Sequence, residues 1–155
     1  RVTLDEHGLN DARNDLLSRT PGHLLILMAD LPLTTPDAVR RLTSSTADVA
    51  IVPGRGGGTN AIYLHRADRF RVSYYGGSFC KHREIAREAG LTCEIIDSFR
   101  IHTDIDEKED LVELLIHGEG LSRIYLEELG FSVTIERGRT GVERKGAGED
   151  SVLVL

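Results

Sequence analysis

Apolar residues along the chain fall into two kinds of run. Some are short, unbroken and without a helical period: Leu24 to Met28, Ala47 to Val52, Asn60 to Leu64, Thr92 to Ile96 and Phe131 to Ile135. Runs of this length, bounded by Gly, Pro, Asp and Thr, predict strands. The first continues into Ala29 and is stopped by Asp30 and Pro32, which predicts a strand buried on both faces. Elsewhere apolar positions recur at three- and four-residue steps, as in Ala12, Leu16 and Leu17, then Val39 and Leu42, then Phe79, His82, Ile85, Ala86 and Ala89. These are the inward faces of helices. Asn10 or Asp11 is positioned to cap the first, Thr35 and Pro36 to start the second, and Ser78 to cap the third, which ends at Gly90. A further helix is predicted from about Glu107 to Ile116, and an amphipathic one from Leu121 to Leu129.

Strands alternating with helices imply an α/β fold with helices on both faces of the sheet. The strands flanking the glycine-rich stretch, and the last strand, read as antiparallel additions, so the sheet is expected to be mixed and mostly parallel. One domain is expected over residues 1–138, followed by a glycine-rich, charged and flexible tail at 139–155. Two uses are open to the Leu121–Leu129 helix, core packing or the surface of a homodimer.

Candidate chemistry lies where these elements end. Asp30 follows a strand at the edge where open parallel sheets bind ligands, and it can either hold a divalent metal against phosphate oxygens or cap the next turn. Gly54-Arg55-Gly56-Gly57-Gly58-Thr59-Asn60 joins two strands and matches neither dinucleotide nor Walker loops. Its glycines let backbone N–H groups approach an anion, with Arg55 and Thr59 adding bonds, or else it is a plain hairpin. Gly76-Gly77-Ser78 opens a helix, which is either a second anion site or an ordinary N-terminus, and His82 lies one turn in. Asp104 and Asp106 are one residue apart before another helix, and they can join Asp30 around Mg2+ or cap that helix. Asp110, beyond the first turn, reads as solvated. No nucleophile, general-base or metal-cluster spacing is evident.

Composition narrows the classes. The chain has 155 residues, with 19 Lys plus Arg against 25 Asp plus Glu and a formal charge of -6, and it has no basic stripe for nucleic acid. Cys80 and Cys93 lack metal or redox spacing and fit a reducing cytoplasm. No apolar run reaches the roughly 18 to 20 residues that span a bilayer. The opening Arg1-Val2-Thr3-Leu4 looks like the middle of a strand.

Four segments, LMADLPL, VPGRGGGTNAI, YYGGSFCKH and TDIDEKEDL, occur in an order that resembles the 2-phospho-L-lactate guanylyltransferase family of coenzyme F420 biosynthesis. The resemblance runs from about Gly8 to Gly138 and implies a Rossmann-like nucleotidyltransferase fold. It implies that GTP and a small phosphorylated acid, 2-phospho-L-lactate, combine with release of pyrophosphate. Mg2+ is implied on Asp30 and Asp106, with Asp104 the other candidate. The GGTN element, here Thr59, and the helix start at Gly76 or Gly77 and Ser78 are implied to bind the acid; Arg55, Asn60 and His82 are further candidates for the same substrate from their places in the loop and helix. Gly8, Leu9 and Asn10 look like the family's GLN element near the nucleotide. The family's N-terminal strand and phosphate loop have no counterpart in this sequence, so a longer native protein is expected. The alternatives are a related transferase acting on phosphoenolpyruvate or using another nucleotide, and a non-catalytic binding domain on the same scaffold.

Overall fold

A computed structural model describes residues 8–136 and 138–145. The chain divides into two compact units, Arg1–Asp104 and Ile105–Leu155, each described by itself. The first holds, in order, α1 (Leu9–Ser18), β1 (Leu24–Leu27), α2 (Pro36–Thr43), β2 (Val49–Pro53), β3 (Thr59–Leu64), α3 (Ser78–Glu88), β4 (Cys93–Ile95) and α4 (Phe99–His102).

Its sheet has the order β1-β3-β2-β4. β3 pairs antiparallel with both β1 and β2, while β2 and β4 pair in parallel. The sheet is therefore mixed, as expected, but the strand expected last, Phe131 to Ile135, is not an addition to it and pairs in a separate two-stranded sheet. Period-two alternation sorts the side chains of β2 between two cores. Val49 and Ile51 join Ile62, Leu64, Leu17 and Ala86 under α1 and α3, whereas Ala50 and Val52 join Ala61, Leu42 and Ile101 under α2 and α4. Both faces are thus covered by helices, which is why β2 reads as a continuous apolar run.

Local signals explain most boundaries. Thr35 caps α2, its Oγ1 accepting from the Ala38 N–H at 3.2 Å, and Pro36 occupies the first helical position where no N–H is needed. Three boundaries differ from the sequence pattern. α1 begins directly after Gly8 with no side-chain cap, because the Asn10 amide is engaged by the backbone of Tyr74. α3 is preceded by Gly77 in the left-handed region at φ 73°, and Ser78 is its first residue rather than its cap. β1 is only half buried, with Leu27 37% exposed, because it pairs with β3 alone among the described strands and stands at the edge of the sheet.

The second unit contains α5 (Leu111–His117), α6 (Leu121–Glu128), β5 (Phe131–Glu136) and β6 (Arg139–Arg144). β5 and β6 form an antiparallel hairpin through Gly138, whose φ of 77° the tight turn requires. The stretch expected as a flexible tail from residue 139 therefore starts with a strand, further held by Arg144 Nε donating to the Leu129 carbonyl at 2.9 Å. The tail expected over 146–155 lies outside the described residues. α6 packs on α5 and β5 with Leu126 half-buried, but none of its residues is fully buried, and Leu121 and Tyr125 stand exposed. Among the described residues no helix is long and apolar enough to cross a membrane, and Cys80 and Cys93 are free and exposed thiols.

One glycine is fixed by close approach. A Cβ on Gly54 would lie 2.0 Å from Asn60 Oδ1, and Asn60 is itself buried and bonded. Gly54→Ala is expected to cost roughly 2 kcal/mol or more through this overpacking. Urea unfolding measures it, and Gly22→Ala, where a Cβ meets nothing within 4 Å, serves as the control.

Candidate functional site

Strand direction gathers the candidates of the first unit at one sheet edge. β1 and β2 both run antiparallel to β3, so their carboxyl ends lie where β3 begins. The Met28 N–H donates to the Asn60 carbonyl at 3.0 Å, which extends this pairing one residue past β1 and brings Asp30 out beside the start of β3. Asp30 is exposed, and its carboxylate has no hydrogen-bond partner among the described residues, so it does not cap the following turn. Asn60 is buried. Its Nδ2 donates to the carbonyls of Ile101 and His102, both at 3.0 Å, and the imidazole Nδ1 of His102 is 2.9 Å from the Pro53 carbonyl. Asn60 is thus a clamp that fixes where the chain leaves α4 toward Asp104, which is half buried.

Two glycine loops meet above this edge. The first folds as a 3-10 turn over Arg55–Gly57, closed by the Gly54 N–H on the Gly58 carbonyl at 3.0 Å, with Gly56 and Gly57 at φ 64° and 83°. Arg55 is on its exposed side. In the second, Tyr75, Gly76 and Gly77 all have positive φ, at 75°, 56° and 73°. Tyr75 is strained there, since a side chain disfavours that region, and Lys81 Nζ steadies the loop by donating to the Tyr75 carbonyl at 2.9 Å. A Cβ on Gly57 would come within 4.0 Å of the Gly77 Cα, so the two loops are in close approach. Behind the second loop, the first N–H groups of α3 have no acceptor within the helix.

Beneath the loops lies a buried polar network. Ser78 Oγ and Thr59 Oγ1 are 3.1 Å apart, Thr59 Oγ1 is 3.0 Å from His82 Nδ1, and the Ser73 N–H donates to His82 Nε2 at 2.9 Å. His82 is fully buried, with Tyr74 edge-on at 5.0 Å and Phe70 tilted at 6.0 Å between ring centroids. Burial pushes its pKa down from 6.5 to about 4, and the nearby cations Arg13 and Lys81 push in the same direction. The imidazole is therefore neutral at pH 7.

Residues that sequence reasoning passes over hold this network in place. Asn10 exchanges two bonds with the backbone of Tyr74, and Asn14, one helical turn later, does the same with Val72, accepting from its N–H at 2.8 Å and donating to its carbonyl at 3.0 Å. Arg13 lies over the Tyr74 ring at 4.4 Å, its Nη1 buried without a partner among the described residues. The Tyr74 hydroxyl is likewise buried and unpartnered, and burial raises its pKa to about 12. An Asn-x-x-Arg-Asn spacing on one helix face was the available signal. In the second unit Asp106 is exposed, and its N–H donates to Asp110 Oδ2 at 3.1 Å. Asp110, expected to be solvated, is buried instead because its carboxylate also accepts from the Glu107 N–H at 2.9 Å, in a capping box. A cleft of about 1040 Å3 in that unit, between Lys108, Glu113, Arg139 and Glu143, includes none of the candidate residues.

The family model for guanylyl transferase CofC-like proteins matches residues 1–145. The chain belongs to that family. It is 58% identical over 144 residues to the 2-phospho-L-lactate guanylyltransferase of Methanoregula boonei, covering 93% of this chain and 67% of that protein. It is 51% identical over 145 residues to the protein of the same name from Methanocorpusculum labreanum, covering 94% and 68%. A crystal structure described as a nucleotide-diphospho-sugar transferase from Desulfovibrio desulfuricans G20 superposes with a TM-score of 0.59 at 19% identity, over 82% of this chain and 60% of that one. This likeness shows the fold, an α/β sheet flanked by helices. In this guanylyltransferase family member, no group of three or more His, Cys, Asp or Glu able to hold a metal occurs among the described residues. An open carboxylate such as Asp30 suits Mg2+, which takes one or two carboxylates and fills its shell with water and substrate phosphates.

The neutral buried His82 sets a pH dependence with a definite sign. Above pH 6.5 neither the folded nor the unfolded chain protonates it; between 6.5 and about 4 only the unfolded chain does, so stability falls with pH and levels off below that. Urea unfolding of wild type and His82→Asn from pH 7 to 4 should show their stability difference shrinking, by no more than about 3 kcal/mol. A constant difference would contradict a neutral His82.

Proposed function

We propose that this chain carries the guanylyltransferase chemistry of 2-phospho-L-lactate guanylyltransferases, transferring GMP from GTP to 2-phospho-L-lactate with release of pyrophosphate, in coenzyme F420 biosynthesis. Its membership of the guanylyl transferase CofC-like family, at 58% identity to a relative of that name, carries the reading. The arrangement at the carboxyl edge supports it: an open carboxylate stands at the same sheet edge as hydroxyl and backbone N–H donors suited to a phosphorylated acid.

A phosphate oxygen of the acid attacks the α-phosphorus of GTP and forms the new P–O bond, while the bond from that phosphorus to the bridging oxygen breaks and pyrophosphate leaves. No proton has to be abstracted and no protein nucleophile is required, so catalysis is positioning and charge stabilisation. Bound Mg2+ supplies neutralisation of triphosphate and pyrophosphate charge, with Asp30 as a ligand. Thr59, Ser78 and the N–H groups beside Gly76 and Gly77 hold the anionic acid. Arg55 adds charge from the first loop. Asn60 and His82 serve this site from beneath rather than by touching the acid. Gly8 and Leu9, at the start of α1, are carried in the proposal as the nucleotide side, where Asn10 acts through Tyr74. The resemblance assigns a ligand role to Asp106 or Asp104 as well.

Pyrophosphate release with GTP, Mg2+ and 2-phospho-L-lactate tests the reading. Asp30→Asn is expected to lose at least about a hundredfold in kcat, the scale on which a group stabilising transition-state charge acts, while Tm stays within about 2 °C because the side chain is exposed and unbonded. Asp104→Asn and Asp106→Asn, assayed alongside, identify the further carboxylate. Ser78→Ala should raise KM for the acid and leave KM for GTP unchanged. Turnover with phosphoenolpyruvate in place of 2-phospho-L-lactate would reassign the acid. Turnover by Asp30→Asn equal to wild type would remove Asp30 from the site.

A further inference from the structure

Proton counting within the buried network gives it a direction. An extended segment sends successive N–H groups to opposite sides, and Asn14 and Asn10 take those of Val72 and Tyr74. The Ser73 N–H between them is left facing His82 Nε2 at 2.9 Å. A backbone N–H can only donate, so Nε2 is the unprotonated nitrogen and the neutral ring carries its proton on Nδ1. The opposite tautomer would set two donors against each other in a buried space, at a cost of about 1–3 kcal/mol. Nδ1 therefore donates to Thr59 Oγ1, 3.0 Å away.

Thr59 and Ser78 then share two hydroxyl protons. One is used between them across 3.1 Å, and neither can be donated back to the imidazole. One proton is left over, whichever way the shared bond runs. If Ser78 donates to Thr59 the remaining proton is that of Thr59, and in the reverse sense it is that of Ser78. Both hydroxyls lie under the converging glycine loops, each side chain about 5% exposed, so the spare donor has no bulk water to satisfy it and suits an anionic oxygen.

We infer that His82 is a positioning residue that, held as the Nδ1–H tautomer by the Ser73 N–H, fixes the Thr59–Ser78 pair as a hydrogen-bond donor to the anionic substrate. The inference rests on the proposed function for the identity of that substrate and deepens it by assigning the polarity of the acid subsite. A spare hydroxyl proton favours phosphate or carboxylate oxygens, which accept strongly, over a neutral ligand group. His82 does not touch the acid; it acts through Thr59.

The test uses two variants that lose the Ser73 contact alike and differ at the Nδ1 position. His82→Asn keeps an N–H donor on the atom that replaces Nδ1, and His82→Leu removes it. Calorimetric titration with 2-phospho-L-lactate should show Kd raised about tenfold in His82→Leu and restored to within about threefold of wild type in His82→Asn. GTP affinity should be unchanged in both. Equal acid affinity in the two variants overturns the inference, because a merely structural role would not separate them. Independently of folding of the variants, a long-range proton–nitrogen spectrum of wild type labelled with 15N-histidine reads the tautomer directly. An Nε2–H form overturns the inference whatever binds. An Nδ1–H form in a wild type that fails to bind the acid upholds the hydroxyl direction and overturns the substrate reading instead.

Discussion

The first unit depends on one buried imidazole meeting two fixed partners. His82 on α3 is held between the hydroxyl of Thr59 on β3 and the N–H of Ser73 on the segment that precedes the second glycine loop. These are three different segments, a strand, a loop and a helix, and His82 bonds to both of the others. Removing water from a polar ring is costly unless both nitrogens are satisfied, and here both are. The same desolvation keeps the ring neutral, so a structural tie is also a proton with a fixed address.

Around that tie, short polar side chains do work that a sheet would otherwise do. The segment from Val72 to Tyr74 pairs with no strand among the described residues, and backbone groups of Val72 and Tyr74 are bonded by the amides of Asn14 and Asn10, one turn apart on α1. Asn60 performs the same service for Ile101 and His102. Each amide offers N–H donors and a carbonyl acceptor in a plane, groups like those of the peptide, so it satisfies irregular backbone without a full ladder. The glycine loops can then adopt left-handed conformations on a rigid base. The strain at Tyr75 persists because Lys81 and the start of α3 over-determine the loop.

The result is a division of labour at the carboxyl edge. Hydroxyls and loop amides lie on a water-poor floor, whereas Asp30 stands open to solvent with no hydrogen-bond partner among the described residues. Donors beside a lone carboxylate suit a reaction between two phosphates, in which one partner is gripped through its oxygens and the other arrives with a cation. The chain's membership of the guanylyl transferase CofC-like family is what makes the proposed transfer between two phosphates the reading for this edge.

Much of this was legible in the residues themselves. The apolar runs gave β2, β3 and the mixed sheet, Thr35-Pro36 gave the start of α2, and the two glycine clusters marked the loops, because these features follow from period, capping and backbone freedom, which act over a few residues. Tertiary structure decided the rest. Only packing shows that β1 stands at an edge, that Asp110 is buried by its capping role, and that residues 139–144 pair as a strand, since each depends on what lies alongside. His82 and Asn60 could be singled out by sequence, but their roles could not: their hydrogen-bond partners lie on other segments, nine residues away for Ser73 and more than twenty for Thr59, Ile101 and His102. The direction of a proton from His82 to Thr59 is set by the Ser73 N–H, and that orientation exists only once Asn10 and Asn14 have closed on the backbone beside it.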